Sequence, residues 1–207
     1  MPLSQPAFIE TIADLEARYD AASPRSLAKE ATRLSAEYRE LIDAAPFFAL
    51  ATVGSDGMDC SPRGDTAPSV SVIDDTTLHI PDRKGNNRLD SLRNIVEDGR
   101  VALLFLIPGL DICMRINGRA QLTVDGEVLA HHAVDGILPR SVIVVSIERV
   151  YFQCARAIRR AALWDASAQR SGADLPTAGE ILAAVNAPGV QSAAAYNQDF
   201  EDNATLY

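Results

Sequence analysis

The stretch over residues 80–109, IPDRKGNNRLDSLRNIVEDGRVALLFLIPG, decides the fold, because a strand end, a cationic turn, a helix and a strand follow one another in it. The apolar side chains of 87–97 recur at helical spacing and predict a helix. The expected buried stripe of that helix consists of Leu89, Leu92, Ile95 and Val96. The run 101–107 is apolar throughout and predicts a strand that is covered on both faces.

Short strands lie on both sides of this stretch. The apolar run 47–53 ends in Gly54-Ser55-Asp56-Gly57, which is typical of a hairpin turn. Alternating or β-branched segments predict further strands at 69–73, 76–80, 112–124 and 141–152. About six closely spaced strands with few helices between them favour a barrel over a parallel βαβ sheet. We therefore expect one α+β domain.

Helical segments flank the strands at both ends of the chain. Residues 4–44 predict helices, with Ser23 as N-cap and Pro24 in the first turn of the second one. A short helix is expected over 127–134, and helical spacing returns at 155–164 and 178–185. We divide the chain into a helical extension over 1–44, a barrel domain over 45–164 and a helical or irregular extension over 165–207.

The composition excludes several classes of protein. The 207 residues carry a net charge of −9, and an acidic chain is a poor candidate for coating nucleic acid, which requires neutralised phosphates. The longest strongly apolar run has seven residues, far fewer than the ~20 that span a bilayer. Three widely spaced cysteines and an acidic amino-terminal stretch without signal-peptide features predict a soluble, cytoplasmic protein.

Several motifs of catalysis and metal binding are missing from the sequence. It has no GxGxxG, no P-loop, no GxSxG and no HExxH, which argues against a Rossmann site, a phosphate-binding P-loop and a zincin. The three histidines do not have metal-ligand spacing. We expect His79 on the outward face of a strand and the pair His131-His132 at a solvated helix end. No metal site is predicted and no catalytic residue is singled out.

The segment 81–93 is cationic in an acidic chain. Its net charge is +2, and it contains Lys84, one of only two lysines beside 17 arginines. The charged residues of the segment are Arg83, Lys84, Arg88, Arg93, Asp82 and Asp90. Because it follows a strand and opens a helix, helix amides and cationic side chains can converge there on a phosphate monoester. The alternative is a solvated turn with scattered salt bridges.

Four motifs together resemble a known family. The motifs SPRGD, IPDRKGNNRLDSLRNI, VALLFLIPG and RINGRA follow one another between roughly residues 45 and 164. In this order they resemble the FMN-binding split-barrel flavoproteins of the pyridoxamine 5′-phosphate oxidase superfamily, above all a bacterial subgroup with the SPRGD and PDRxGNNR signatures. The resemblance implies a six-stranded antiparallel split β-barrel with flanking helices, and homodimers that hold one FMN per subunit at the interface.

The resemblance also implies which residues bind the flavin. Arg63 matches the arginine that opens the first flavin-contacting strand, and Arg83 and Lys84 match the Arg-Lys pair on the FMN phosphate. Cys113 takes the place of a glutamine that faces the flavin, and the alternating strand puts Arg115 on the same face as Cys113. The full expected cofactor-binding set is Arg63, Asp82, Arg83, Lys84, Asn86, Asn87, Arg88, Cys113 and Arg115.

The sequence departs from the oxidase near the end of the barrel. In place of the oxidase's Arg-x-His-x-Arg substrate segment stands CARAIRRAALW, which ends in Trp164, so pyridoxamine phosphate is not the expected substrate. Trp164 either covers the flavin of the other subunit or anchors its helix to the barrel.

Three functions are compatible with the sequence. The first is an FMN-dependent oxidoreductase that takes electrons from a nicotinamide or a substrate. The second is a non-catalytic protein that stores or senses FMN, F420 or haem. The third is an acidic regulator that binds nucleotides or partners without a cofactor.

Overall fold

The computed structural model describes residues 7–66, 68–83, 85–186, 189 and 192–203. Its strands are β1 (Phe47–Gly54), β2 (Gly57–Gly64), β3 (Ser71–Val72), β4 (Thr77–Asp82), β5 (Arg100–Leu106), β6 (Cys113–Thr123) and β7 (Ser141–Gln153). Its α-helices are α1 (Ile12–Glu16), α2 (Pro24–Ala28), α3 (Ala36–Asp43), α4 (Asp90–Glu97), α5 (Gly126–His131), α6 (Arg156–Arg160), α7 (Ala178–Ala184) and α8 (Ala193–Asn203).

The seven strands form one antiparallel sheet in the order β2-β1-β5-β6-β7-β4-β3. The sheet is open, since β2 and β3 stand at its two ends, and this architecture confirms the predicted α+β class and is consistent with a split barrel. The sequence predicted six strands and missed β2. Its residues GMDCSPRG do not alternate between apolar and polar, because this edge strand pairs only with β1 and is largely exposed.

The two ends of the open sheet face each other across the barrel. Arg63 of β2 and Asp82 of β4 form an ion pair at 2.8 Å, although four strands lie between β2 and β4 in the hydrogen-bonded order: β1, β5, β6 and β7. The sheet therefore curls until β2 and β4 are close, and the gap between them is the seam of the barrel. Inside, Phe48 and Phe105 pack with ring centroids 5.1 Å apart at the centre of the buried core.

Helix α4 presents a different face to the barrel from the predicted one. Leu89 is 44% exposed and Val96 72% exposed, so only part of the expected stripe is buried. The helix begins at Asp90, after Leu89 has adopted a left-handed conformation, which rotates the buried face onto polar residues. Asn94 is buried and donates to Thr52 Oγ1 at 3.1 Å, so its burial is compensated by a hydrogen bond.

The amino-terminal part contains three short helices separated by loops. The Ser23 N-cap and Pro24 at the start of α2 are confirmed, because the Ser23 side chain accepts from the backbone of Ser26. None of the α1 and α2 side chains is buried, so the helical spacing of apolar residues there does not correspond to a buried helix face. Residues 4–6 of the predicted segment lie outside the described residues. Contact with the sheet begins where Ala31 bridges to Val150.

The carboxy-terminal part contains the two predicted helices and one that the sequence did not indicate. Helix α7 covers most of 178–185, whereas α6 is shorter than the expected 155–164. The additional helix, α8, is held to α7 by Asn197, which donates to Thr177 Oγ1 at 2.9 Å and accepts from the amide of Gly179 at 2.9 Å. In the part of the chain that the structure describes, no helix has the length and apolar character needed to cross a membrane.

A β-bulge between β6 and β7 gives a test of the fold. The register shifts between Asn117 and Gly118, and a Cβ on Gly118 would collide with the backbone carbonyl of Ser146. We expect Gly118→Ala to lower the free energy of unfolding by about 2–3 kcal/mol, measured by urea denaturation. Gly126→Ala is the matched control, because Gly126 faces open space, and it should leave stability unchanged or raise it by up to about 1 kcal/mol. Equal stability of both variants would contradict this packing.

Candidate functional site

A pocket of about 890 Å³ lies at the seam of the barrel. Its described lining comes mainly from 59–66 of β2 and the loop after it, 80–83 at the end of β4, 85–92 at the start of α4, and 140–141 at the start of β7. This volume is within the range of about 300–1,000 Å³ that is typical of small-molecule sites. The SPRGD and PDRxGNNR motifs, which are about 20 residues apart in the sequence, therefore form two walls of one pocket.

Two ion pairs cross the seam in opposite directions. Arg63 Nη1 of β2 donates to Asp82 Oδ1 of β4 at 2.8 Å, and Arg83 Nε donates back to Asp65 Oδ2 at 3.4 Å. All four side chains are 14–25% exposed, so solvent screens these pairs less than it screens surface pairs. Each motif thus orients the arginine of the other. The sequence indicated both arginines but not Asp65, because its pairing depends on the curl of the sheet.

Arg63 contains an unsatisfied polar atom. Its Nε is buried, and among the described residues it has no hydrogen-bond partner, although Nη1 of the same guanidinium is paired with Asp82. A buried donor without a partner costs about 1–3 kcal/mol, and in native proteins such donors usually meet a water, an ion or a ligand. This donor lies in the wall of the pocket.

The loop before α4 is held in a conformation that is uncommon for side-chain-bearing residues. Asn87 and Leu89 both have positive φ values, 59° and 64°. Asn86 accepts from the Arg88 amide at 3.1 Å, and Asn87 accepts from Arg140 Nη1 at 2.6 Å. Asparagine tolerates the left-handed region better than most residues, which is why the Gly-Asn-Asn run suits this tight loop.

Arg140 is a site residue that the sequence did not reveal. It precedes β7, and its amide donates to the Asp82 carbonyl at 3.0 Å, which continues the β4–β7 pairing of Asp82 with Ser141. The register of that pairing places its guanidinium against Asn87. A lone arginine in front of a strand gives no signal unless the register is known.

A chain of hydroxyl groups lies at another wall of the pocket. Ser91 Oγ donates to the carboxylate of Asp59, and Ser61 and Ser91 are 2.9 Å apart between their Oγ atoms. Since the single hydrogen of Ser91 goes to Asp59, Ser61 must donate to Ser91. The lone pairs of Ser61 Oγ then act as an acceptor for a hydrogen-bond donor on a ligand.

The described lining is balanced in charge. It contains four arginines and four aspartates: Arg63, Arg83, Arg88, Arg140, Asp59, Asp65, Asp82 and Asp90. The cationic excess of 81–93 is therefore offset by carboxylates of β2 and the loop after it, which are remote in sequence. The expected phosphate ligand Lys84 lies outside the described residues. Arg88 pairs with Asp90 at 2.8 Å in an exposed ion pair, the kind of contact that contributes little to stability.

Cys113 and Arg115 lie apart from the other predicted residues. Both are on β6, outside the described lining of the pocket. Cys113 is buried opposite Gln153, and burial raises the pKa of its thiol. The Arg115 guanidinium stacks over the Tyr151 ring at 5.1 Å from the centroid. Six of the nine predicted cofactor-binding residues line the same pocket of this chain: Arg63, Asp82, Arg83, Asn86, Asn87 and Arg88.

Trp164 anchors the segment after α6 to the barrel. Its indole Nε1 donates to the carbonyl of Leu110 at 2.8 Å, and Arg159 of α6 pairs with the neighbouring Asp111. These contacts join α6 to the β5–β6 connection and agree with the anchoring alternative for Trp164.

His132 is placed differently from the prediction, whereas His131 is exposed at the end of α5, as expected. His132 is 6% exposed rather than at a solvated helix end, and its Nε2 is 3.1 Å from His79 Nδ1. The prediction was wrong because the turn after α5 folds back onto β4, a contact that helical periodicity does not report. Burial, followed by the nearby His79, His131 and Arg83, lowers the pKa of His132 to about 4. Burial also lowers the pKa of His79.

Comparison with known proteins identifies the family. The family model described as pyridoxamine 5′-phosphate oxidase matches residues 34–154, which is more than half of the chain. This chain belongs to the pyridoxamine 5′-phosphate oxidase family, as its motifs indicated. Among curated proteins, none matches the sequence significantly.

Several crystal structures resemble part of the chain. HupZ of Group A Streptococcus is 20% identical, with a TM-score of 0.48 over 59% of this chain and 95% of HupZ. A candidate pyridoxamine 5′-phosphate oxidase from Lactobacillus delbrueckii is 23% identical, with a TM-score of 0.48 over 58% of this chain and 95% of that protein. An FMN-binding protein from Syntrophomonas wolfei is 17% identical, with a TM-score of 0.43 over 55% and 82%.

The histidine pair predicts a pH dependence of stability. Because the pKa of His132 is about 4 in the folded state and about 6.5 when unfolded, the unfolded chain binds the additional proton between these values. Stability should be complete above pH 6.5 and fall by about 1.4 kcal/mol per pH unit, for this group, as the pH drops towards 4. In urea unfolding at pH 7 and pH 5, His132→Gln should lose less stability than the unmodified chain.

His131→Gln is the matched control, because His131 is the exposed neighbour of His132. It should keep most of the pH dependence of the unmodified chain, because burial and His79 contribute more than His131 to the low pKa of His132. A His132→Gln variant that loses as much stability as the unmodified chain between the two pH values would contradict a neutral, buried His132.

Proposed function

We propose that this chain binds FMN, with the phosphate at the Arg63–Arg83 side of the seam pocket, and acts as an FMN-dependent oxidoreductase on a small molecule. The observation that carries the proposal is the buried Arg63 Nε, which has no partner among the described residues. An anionic oxygen would supply the missing acceptor and form a charge-assisted hydrogen bond.

The donor set of the pocket fits a phosphate monoester. Arg63, Arg83, Arg88 and Arg140 present guanidinium groups, whose planar forks match phosphate oxygens. Asn86 and Asn87 add amide groups in the same loop, and Lys84 is proposed as a further phosphate ligand from the family resemblance. Asp82 would contribute by orienting Arg63, since its carboxylate repels a phosphate that approaches directly.

The arginines of the pocket donate hydrogen bonds, whereas Ser61 accepts them, so the two groups suit different ends of the ligand. Ser61 accepts hydrogen bonds towards the pocket and therefore suits a donor, such as a hydroxyl of the ribityl chain, rather than the phosphate. The phosphate would bind at the arginines and the polyol nearer to Ser61. When bound, the flavin supplies the redox chemistry, and the residues of this chain bind and orient it.

A homodimer would give Cys113 and Arg115 a place at the flavin. Because both lie outside the described lining of their own subunit, they would serve a flavin only if a second copy brings β6 to the seam of its partner. We propose a homodimer in which they contribute in this way. A reduced nicotinamide or the substrate itself is the proposed electron donor, and cytoplasmic location is part of the same proposal.

Non-catalytic storage or sensing of FMN, F420 or haem is the alternative. It is favoured by the chemistry of the pocket, because the described lining residues include no histidine to move protons. Anaerobic addition of NADH or NADPH to the FMN-loaded protein separates the two functions. Bleaching of the visible flavin absorbance supports the oxidoreductase, whereas FMN that stays oxidised with both donors and is released intact supports storage.

Two arginine substitutions test the phosphate site. We expect Arg63→Met and Arg83→Met each to weaken FMN binding by about tenfold or more, because each removes charged hydrogen bonds of about 1.5–3 kcal/mol. The dissociation constant would be measured from the quenching of FMN fluorescence. Arg93→Met changes the charge equally on an exposed position of α4 outside the described lining and is the matched control.

The same variants need a test of folding, because each loss leaves a half-buried aspartate without its arginine. Circular dichroism and urea unfolding would show whether the fold is retained. Folded variants that bind FMN as tightly as Arg93→Met would overturn the phosphate assignment. An unmodified chain that stays colourless after incubation with FMN and desalting would overturn flavin binding altogether.

A further inference from the structure

The buried histidine pair connects the end of α5 to the sheet beside the seam pocket. His132 is the C-cap of α5, and its ring lies between two partners on neighbouring strands. Its Nε2 is 3.1 Å from Nδ1 of His79 on β4, and its Nδ1 is 3.5 Å from Oγ of Ser71 on β3. Since Ser71 pairs directly with His79 in the β3–β4 ladder, the ring fixes the last turn of α5 over one defined point of the sheet.

The backbone of the same residue holds an arginine of the pocket. The carbonyl oxygen of His132 accepts from Arg83 Nη1 at 3.2 Å, while Asp65 accepts from Arg83 Nε at 3.4 Å. The guanidinium of Arg83 is therefore placed between the end of α5 and the loop after β2. A displacement of the α5 end would change one of the contacts that orient this guanidinium.

The contact between the two imidazoles depends on their protonation. Only one hydrogen can lie between His79 Nδ1 and His132 Nε2 at 3.1 Å, and it is supplied when one ring donates to the other. If both rings are protonated, two N–H groups point at each other and two positive charges meet, so the rings must separate.

The surroundings of the pair determine when this happens. Burial and the neighbouring charges keep His132 neutral at pH 7, with a pKa of about 4. Towards β7 the pair meets an apolar side chain, since Val144 pairs with His79. The titratable and charged groups around it are His131 of α5, Asp74 before β4, Arg83 after β4, and Asp65, which pairs with Arg83.

We propose that His132 is a positioning residue for Arg83, and that the neutral His79–His132 contact makes anion binding in the seam pocket depend on pH. This inference rests on the proposed function, in which the anion is the FMN phosphate. At neutral pH the intact pair fixes the α5 end and Arg83 points to the phosphate. At acid pH the rings separate, the His132 carbonyl shifts, and FMN binds more weakly.

A double-mutant cycle tests the route through Arg83. FMN dissociation constants would be measured at pH 7.5 by fluorescence quenching for His132→Leu, Arg83→Met and the combined variant. His132→Leu removes both ring contacts and should weaken FMN binding about tenfold when Arg83 is present, the size of an ordinary coupling between contacting groups. With methionine at position 83, the same change should weaken binding by less than about twofold.

The conservative variant tests the pH dependence and remains informative if His132→Leu fails to fold. His132→Gln keeps an amide that can bond to His79 but does not titrate, so it should bind FMN at pH 7.5 as the unmodified chain does. Between pH 7.5 and pH 4, a range that reaches the pKa of His132, its affinity should fall less than that of the unmodified chain. The remaining fall reports the titration of the FMN phosphate itself, whose second pKa is about 6.

The outcomes separate this inference from the proposed function. Absence of FMN binding by the unmodified chain would overturn the proposed function and the inference with it. FMN binding together with an equal loss from His132→Leu in both backgrounds would overturn only the positioning role. Equal pH dependence of the unmodified chain and His132→Gln would overturn the pH dependence. His131→Gln, which changes the exposed neighbour, should bind FMN at pH 7.5 as the unmodified chain does.

Discussion

The crossed ion pairs Arg63–Asp82 and Arg83–Asp65 are the contacts on which the site depends. They join strands near opposite ends of an open sheet, so they exist only when the sheet has curled into a barrel. Partly buried pairs of this kind need not add much stability, because desolvation offsets the attraction between the charges. Their effect is geometric, since each carboxylate holds a guanidinium in place at the seam.

The pocket that results differs from a simple positive patch. Its described lining has as many aspartates as arginines, so long-range attraction of an anion is weak and recognition depends on directed hydrogen bonds. The buried Arg63 Nε is the clearest sign of a missing acceptor. Behind Arg83, the carbonyl of His132 at the end of α5 accepts a hydrogen bond from the guanidinium. Residues that do not touch the ligand can therefore alter the affinity of the pocket through Arg83.

Much of the fold was predictable from local patterns. The hairpin turn at 54–57, the Ser23–Pro24 helix start and a strand over 101–107 rest on neighbouring residues, and the structure contains all three. The expectation that this strand is covered on both faces was wrong, because burial alternates along β5 and Leu104 is 38% exposed. The buried face of α4 was predicted in part, because Leu89 adopts a positive φ and the helix starts later than its spacing indicates. Strand β2 was missed, because an exposed edge strand does not need an apolar face.

The sequence by itself determined the strand-rich class, the family and the two motifs that supply the arginines of the pocket, because these depend on residue type and short-range order. Only the tertiary structure decided that Asp65, Arg140 and Ser61 join them and that Cys113 and Arg115 lie outside the described lining of the same chain. It also moved His132 from an expected surface position to a buried contact with His79. The physical reason is the same in each case: strand register and the curl of the sheet bring distant residues together, and neither can be read from local spacing.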